Sequence, residues 1–125
     1  MIAVPGPASE ELGRKIAELL KTNIVSVVFK KFPDDESYIR FNGEVGGKDI
    51  VIVQSTYPPQ DAHLMQLLLM ADTARDLGAK KVVAAVPYMA YARQDKRFLS
   101  GETISIRTIA KLLAASGVNE LVTVN

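Results

Sequence analysis

The strongest constraint on the fold is the run Val82-Val83-Ala84-Ala85-Val86, apolar throughout and set between two stretches of helical periodicity. A strand that reads as continuously apolar is one covered on both faces, as in a parallel sheet sandwiched by helices. Before it, Leu64, Leu67, Leu68, Ala71 and Ala74 repeat at helical spacing from about Asp61 and stop at Gly78. After it, Ile104, Ile106, Ile109, Ala110, Leu112 and Leu113 do the same and stop at Gly117. Glycine just past a periodic run suits the left-handed backbone that closes a helix. Strands alternating with helices predict a parallel sheet with right-handed crossovers.

The rest of the chain extends that pattern. Ile2-Ala3-Val4 reads as a first strand, stopped by Pro5-Gly6-Pro7. Ser9 is placed to cap a helix whose first turn carries Glu10 and Glu11, with Leu12, Ile16, Leu19 and Leu20 as its apolar stripe. Ile24 to Phe29 is β-branched and apolar, a second strand. Ser37 to Phe41 alternates, Asn42 to Lys48 carries three glycines and reads as a turn, and Asp49 to Val53 is apolar again. That order predicts a hairpin-like pair in the middle of the chain. Leu121 to Val124 reads as a last strand. The expected architecture is a single α/β domain over residues 1–125, a mostly parallel sheet with helices on both faces.

Composition sets the boundaries. With 125 residues, 48% of them hydrophobic, the chain can bury one core and no second one of size. Fifteen basic residues face fourteen acidic ones, for a net charge of +1. That balance gives no bulk attraction to nucleic acid or to a membrane, so an anion must be held locally. The absence of cysteine excludes disulfides and thiolate metal sites. The start lacks a signal-peptide pattern and no apolar run approaches bilayer length, which makes a cytoplasmic protein the expectation.

Chemistry is expected beyond Val86, because ligands of open α/β sheets bind past the carboxyl ends of the strands. There Tyr88 and Tyr91 introduce Arg93-Gln94-Asp95-Lys96-Arg97. Arg93 offers a planar fork for phosphate oxygens, Lys96 and Arg97 add charge, and Gln94 and Asp95 can orient a sugar or base. A charge run is more often a solvated connection than a site, and only its position at a strand end favours the second reading. Phe32-Pro33-Asp34-Asp35-Glu36 joins an aromatic face to carboxylates, able to stack on a purine and accept from its amine. In isolation it reads better as a proline turn with acidic turn formers. Acidic pairs also bind Mg²⁺, but nothing here specifies a metal geometry. His63, the one histidine, has no partner for base catalysis indicated by spacing. The glycines form neither a Walker nor a G-x-G-x-x-G pattern.

Lys31-Phe32-Pro33-Asp34-Asp35-Glu36, then Val86-Pro-Tyr-Met-Ala-Tyr-Ala-Arg-Gln-Asp-Lys-Arg, then Gly101-Glu102-Thr-Ile-Ser-Ile resemble ribose-phosphate diphosphokinase. The likeness runs from the family's first strand through all 125 residues, and the G-E-T-I-S form is similar to the archaeal branch. It implies one of the family's two similar phosphoribosyltransferase-like domains, the N-terminal one. It also implies a reaction in which ATP and ribose 5-phosphate give phosphoribosyl diphosphate (PRPP) and AMP, with Mg²⁺ neutralising the phosphates. By resemblance, Arg93 and Gln94 contact ATP, the arginine near its phosphates. Phe32, Asp34 and Glu36 line the adenine pocket of a neighbouring subunit, which implies a homo-oligomer. Asp95 and Lys96 belong to the motif without a separate role. Phe98 stands where some members carry a further acidic ATP contact. The family's catalytic histidine falls just past Asn125, and its sugar-binding loop belongs to the C-terminal domain. The expectation is therefore an ATP-side half without catalytic residues or metal ligands of its own, inactive alone. A non-catalytic nucleotide-binding or interaction domain derived from the family is the alternative.

Overall fold

A computed structural model describes residues 1–124. Among them the elements follow as β1 (Ile2–Pro5), α1 (Glu10–Leu20), β2 (Asn23–Ile24), β3 (Val27–Lys31), β4 (Ser37–Phe41), β5 (Asp49–Val53), α2 (Gln60–Asp76), β6 (Lys81–Val86), α3 (Ser105–Ala115) and β7 (Glu120–Thr123). Five strands make one sheet in the order β2-β1-β5-β6-β7, and β3 pairs with β4 as a separate ribbon. Every pair of the larger sheet is parallel, with Ala3 opposite Val51 and Val51 opposite Val83. Asn125, just past the last strand of the sequence reading, lies outside the described residues.

Strand periodicity divides the apolar residues between two cores. Ile2, Val4, Ile50, Ile52, Val82, Ala84 and Val86 meet Leu64, Leu67, Met70 and Ala71 of α2 and Ile109 and Leu113 of α3. Ala3, Val51 and Val53 turn to the other face, against Ala17 of α1, with Ile16, Val83 and Ala85 partly buried beside them. Helices thus cover both faces, one on one side and two on the other. Helix α1 lies over β1, β2 and β5, and so Val83 and Ala85 of β6 stay half-exposed.

The middle of the chain departs from the sequence reading. The run from Ile24 to Phe29 is two strands: Asn23 and Ile24 pair with β1, while Val27 onward pairs with β4. No hairpin joins Ser37–Phe41 to Asp49–Val53; β5 instead inserts between β1 and β6. Burial explains the choice. Strand β5 is apolar on both faces and almost wholly buried, which only a central position provides. The β3–β4 ribbon alternates, tucking Val27, Ile39 and Phe41 against the α2 core and leaving Lys30, Lys31 and Arg40 in water.

The stripe of α1 also differs. Leu12, Leu19 and Leu20 are 40%, 81% and 51% exposed, while the helix presses on the sheet through Gly13 and Ala17. The reason is close approach: a Cβ at Gly13 would stand 2.6 Å from the Pro5 Cβ and 2.8 Å from its Cα. At the amino edge of the sheet, Arg75 ties the helix ends down, donating to the carbonyls of Gly117, Ala79 and Lys80 and to Asn119 Oδ1.

Glycine inside a helix ordinarily costs stability relative to alanine. Here the sign reverses, because the obstructing atoms include backbone that cannot rotate away. Gly13→Ala is expected to destabilise the domain by about 1–3 kcal/mol. Urea unfolding reads this as a lower midpoint at unchanged slope; a raised midpoint would show that α1 lifts off Pro5 freely.

Candidate functional site

In an open α/β sheet the natural crevice is the switch point, where neighbouring strands send their chains to opposite faces. Here it lies between β1, which leads into α1, and β5, which leads into α2 on the other face. Hydrogen bonds bridge the base of that crevice. Gly6 N–H donates to the Val53 carbonyl at 2.8 Å. The fully buried Gln54 side chain accepts from Ala8 N–H at 3.0 Å and donates to Gln66 Oε1 at 3.0 Å and the His63 carbonyl at 3.2 Å. Ser55 N–H donates to the Ser9 hydroxyl at 2.8 Å. Ser9 is the residue before α1, but its hydroxyl makes this cross-loop bond and no helix cap. A Cβ at Gly6 would meet Gln54 Oε1, so glycine is required there. Above these bonds lies a hollow of about 530 Å³, bordered by Glu10, Glu11 and Lys15, the last ion-paired with Glu11.

One strand over, the loop after β6 is open. Its base is fixed by Thr56, fully buried, whose N–H and hydroxyl both donate to the Tyr88 carbonyl while the hydroxyl accepts from Ala90 N–H at 2.8 Å. Past this anchor, Tyr91 adopts φ 67 and its carbonyl accepts from Gln94 N–H at 3.0 Å, turning the chain. Its phenol donates to Asp61 Oδ1 in the first turn of α2. That bond first, then desolvation and the carboxylate's charge, hold the phenol above the ordinary tyrosine range and keep it protonated.

The turn delivers Arg93 and Gln94 to a cleft of about 780 Å³, walled by Gln60, Tyr88, Met89, Tyr91 and Phe98. Among the described residues, Arg93 has no carboxylate within ion-pair distance, leaving its fork available to an anion. Gln94 is held from both ends: its carbonyl accepts from Ile106 N–H, and its amide donates weakly to the carbonyls of Lys96 and Thr103 at 3.4 Å. Glu102 closes the far side, one carboxylate oxygen accepting from Phe98 N–H at 2.9 Å and Leu99 N–H at 2.8 Å. Asp95 and Lys96 are exposed, the Lys96 ammonium 5.2 Å from the Phe98 ring centre.

Phe32, Asp34 and Glu36 sit elsewhere, at the tip of the β3–β4 ribbon. The tip is a tight turn in which Phe32 N–H donates to the Glu36 carbonyl and Glu36 N–H to Asp34 Oδ1, with Asp35 left-handed. Phe32 meets Tyr38 edge-on at 5.7 Å, with the Lys30 ammonium above both rings. The tip residues and Arg93 line no common cleft. His63 is placed at the start of α2, its Nδ1 donating to the Tyr57 carbonyl. Among the described residues no three His, Cys, Asp or Glu side chains gather as a metal site would require.

An open parallel sheet with helices on both faces defines a domain of the α/β class. The chain belongs to a specific family of that class: the model of the N-terminal domain of ribose phosphate pyrophosphokinase matches residues 1–117. It is 48% identical over 124 residues to a ribose-phosphate pyrophosphokinase of Saccharolobus solfataricus, covering 99% of this chain and 43% of that protein. It is 49% identical over 118 residues to that of Methanothermobacter thermautotrophicus, covering 94% and 41%. The crystal structure of phosphoribosylpyrophosphate synthetase from Mycobacterium smegmatis superposes with a TM-score of 0.93 at 34% identity, over all of this chain and 42% of that one. The fold is thus phosphoribosyltransferase-like, and the chain spans less than half the length of the relatives it matches.

Sequence reasoning passed over Gln54, Thr56, Asp61 and Glu102, the residues that shape the site without facing it. The available signal was polar residues, Gln54-Ser55-Thr56, continuing straight from a buried strand. Gln54→Leu keeps the volume but leaves Ala8 N–H and Gln66 Oε1 without this partner. The expected loss is about 2–4 kcal/mol, read by urea unfolding. Wild-type stability would mean that water replaces the carboxamide.

Proposed function

We propose that this chain is the ATP-side half of a ribose-phosphate diphosphokinase, a transferase of nucleotide biosynthesis in the cytoplasm. The observation that carries this reading is the unpaired Arg93 guanidinium, presented with Gln94 in a cleft whose loop is clamped at both ends. Arg93 takes the phosphates of ATP bidentately and Gln94 orients the nucleotide. In the complete reaction the anomeric oxygen of ribose 5-phosphate bonds to the β-phosphorus. The bond from that phosphorus to the bridging oxygen breaks, AMP departs, and the hydroxyl proton leaves to a base. Among the described residues nothing is assigned as that base.

The ribbon tip supports a homo-oligomer. Phe32, Asp34 and Glu36 stand away from the cleft of their own chain, so they serve adenine by reaching a neighbour's cleft. Phe32 stacks on the ring and the carboxylates accept from its amine. Mg²⁺ finds no cluster of ligands among the described residues, and enters with the nucleotide, held largely by phosphate oxygens as is usual for this ion. Its chemistry there is neutralisation of phosphate charge. No described helix is long and apolar enough to cross a membrane, and the near-neutral charge attracts no nucleic acid.

Two measurements test this reading. The 125-residue chain should bind ATP with Mg²⁺ by calorimetry and release no AMP when ribose 5-phosphate is added. Arg93→Ala should weaken ATP binding by about 10–100-fold, the loss of charge-assisted bonds, and Arg93→Lys should fall between. Equal affinity in Arg93→Ala would remove Arg93 from the site. PRPP formed by the isolated chain would place the full chemistry within it. Binding without turnover, even after a C-terminal half is added, would favour a non-catalytic nucleotide-binding domain.

A further inference from the structure

Among the described residues, three besides glycines adopt left-handed backbone: Lys21, Asp35 and Tyr91. Lys21 closes α1 and Asp35 sits in the ribbon turn, both settings where this conformation is ordinary. Tyr91 follows no helix, and an aromatic side chain there opposes a steric penalty. Something outside the local backbone must hold it.

The structure offers one such restraint. The Tyr91 phenol donates to Asp61 Oδ1, and Asp61 rides on the first turn of α2, a helix fixed to the sheet through Leu64 and Leu67. At its other end, the Tyr91 carbonyl accepts the Gln94 N–H that closes the turn. The ring also stands as the wall between the Arg93 cleft and an apolar groove of about 340 Å³ between α2 and α3. One residue therefore links a rigid helix to the direction in which the chain leaves toward Arg93.

We propose that the Tyr91–Asp61 contact is a latch that holds the left-handed turn and thereby aims Arg93 and Gln94 into the cleft. Both act as positioning residues, through the direction they give the turn. The role in binding rests on the ATP reading given above, whereas the latch itself does not. Charge separates the latch from the obvious alternative. A carboxylate near a polyanion's site repels it, so if Asp61 acted through its charge, removing it would tighten ATP binding. A latch predicts the opposite.

The test uses Asp61→Ala, Asp61→Asn and Tyr91→Phe in the 125-residue chain. ATP affinity in the presence of Mg²⁺ is measured by calorimetry, and the HN–Hα coupling of Tyr91 and the amide shifts of Arg93 and Gln94 by NMR. Asp61→Ala and Tyr91→Phe should each weaken ATP about tenfold and move the Tyr91 coupling off its left-handed value. Asp61→Asn keeps a carbonyl acceptor in the same place, and should hold affinity within about twofold and leave the coupling unchanged. Tighter ATP binding in Asp61→Ala, or unaltered affinity in both disrupting variants, overturns the proposal. If the wild-type chain binds no ATP, the nucleotide reading fails, and the couplings and shifts still decide the latch. An unchanged Tyr91 coupling in Asp61→Ala then rejects it.

Discussion

The buried Gln54 carboxamide at the end of β5 is the interaction on which the arrangement of the carboxyl edge depends. Its oxygen takes Ala8 N–H from the loop after β1, and its nitrogen reaches Gln66 and the His63 carbonyl on α2. A carboxamide is suited to this because it donates and accepts at once, and a buried group that did only one would leave partners unsatisfied. By joining the loops on either side of the switch point, Gln54 narrows the place where most open α/β sheets bind ligands. The open cleft then falls one strand over, after β6, where Thr56 anchors a loop that is otherwise supported by its own polar side chains.

That loop is a case of polar groups held in order without a core beneath them. Between Tyr91 and Thr103 few residues are buried, and the restraints are Tyr91 on Asp61, Gln94 on Thr103 and Glu102 on two backbone N–H groups. Such bonds stabilise modestly one at a time in exposed settings, yet together they preset a geometry. They fix the path of the backbone that carries Arg93, which on the proposed ATP reading lowers the cost of ordering the loop around a ligand.

Much of this was legible in the sequence. Apolar runs at β1, β5 and β6 and the glycine-ended helices α2 and α3 gave the class of fold, because each element's burial demand shows in its own periodicity. The loop with Arg93 and Gln94 was found by its place after Val86, and the family by its motif. Pairing partners were less accessible. Ser37–Phe41 looked ready to pair with Asp49–Val53, and only the competition for a doubly covered central position sends β5 elsewhere. The α1 stripe misled for a similar reason: Leu12, Leu19 and Leu20 are hydrophobic, but Gly13 allows close contact with Pro5 and decides which face is buried. The Tyr91–Asp61 and Gln54–Gln66 pairs join residues far apart in sequence, and no local pattern announces them.

The proposed anion site lies in the loop after β6 and not at the switch point. Titration of the isotope-labelled chain with ATP and Mg²⁺, followed residue by residue in amide NMR spectra, tests this most directly. The largest shifts are expected at Tyr91, Arg93, Gln94 and Phe98, with Ser9, Glu10 and Ser55 little moved. Shifts concentrated at Ser9, Glu10 and Ser55 would place the ligand at the switch point and contradict it.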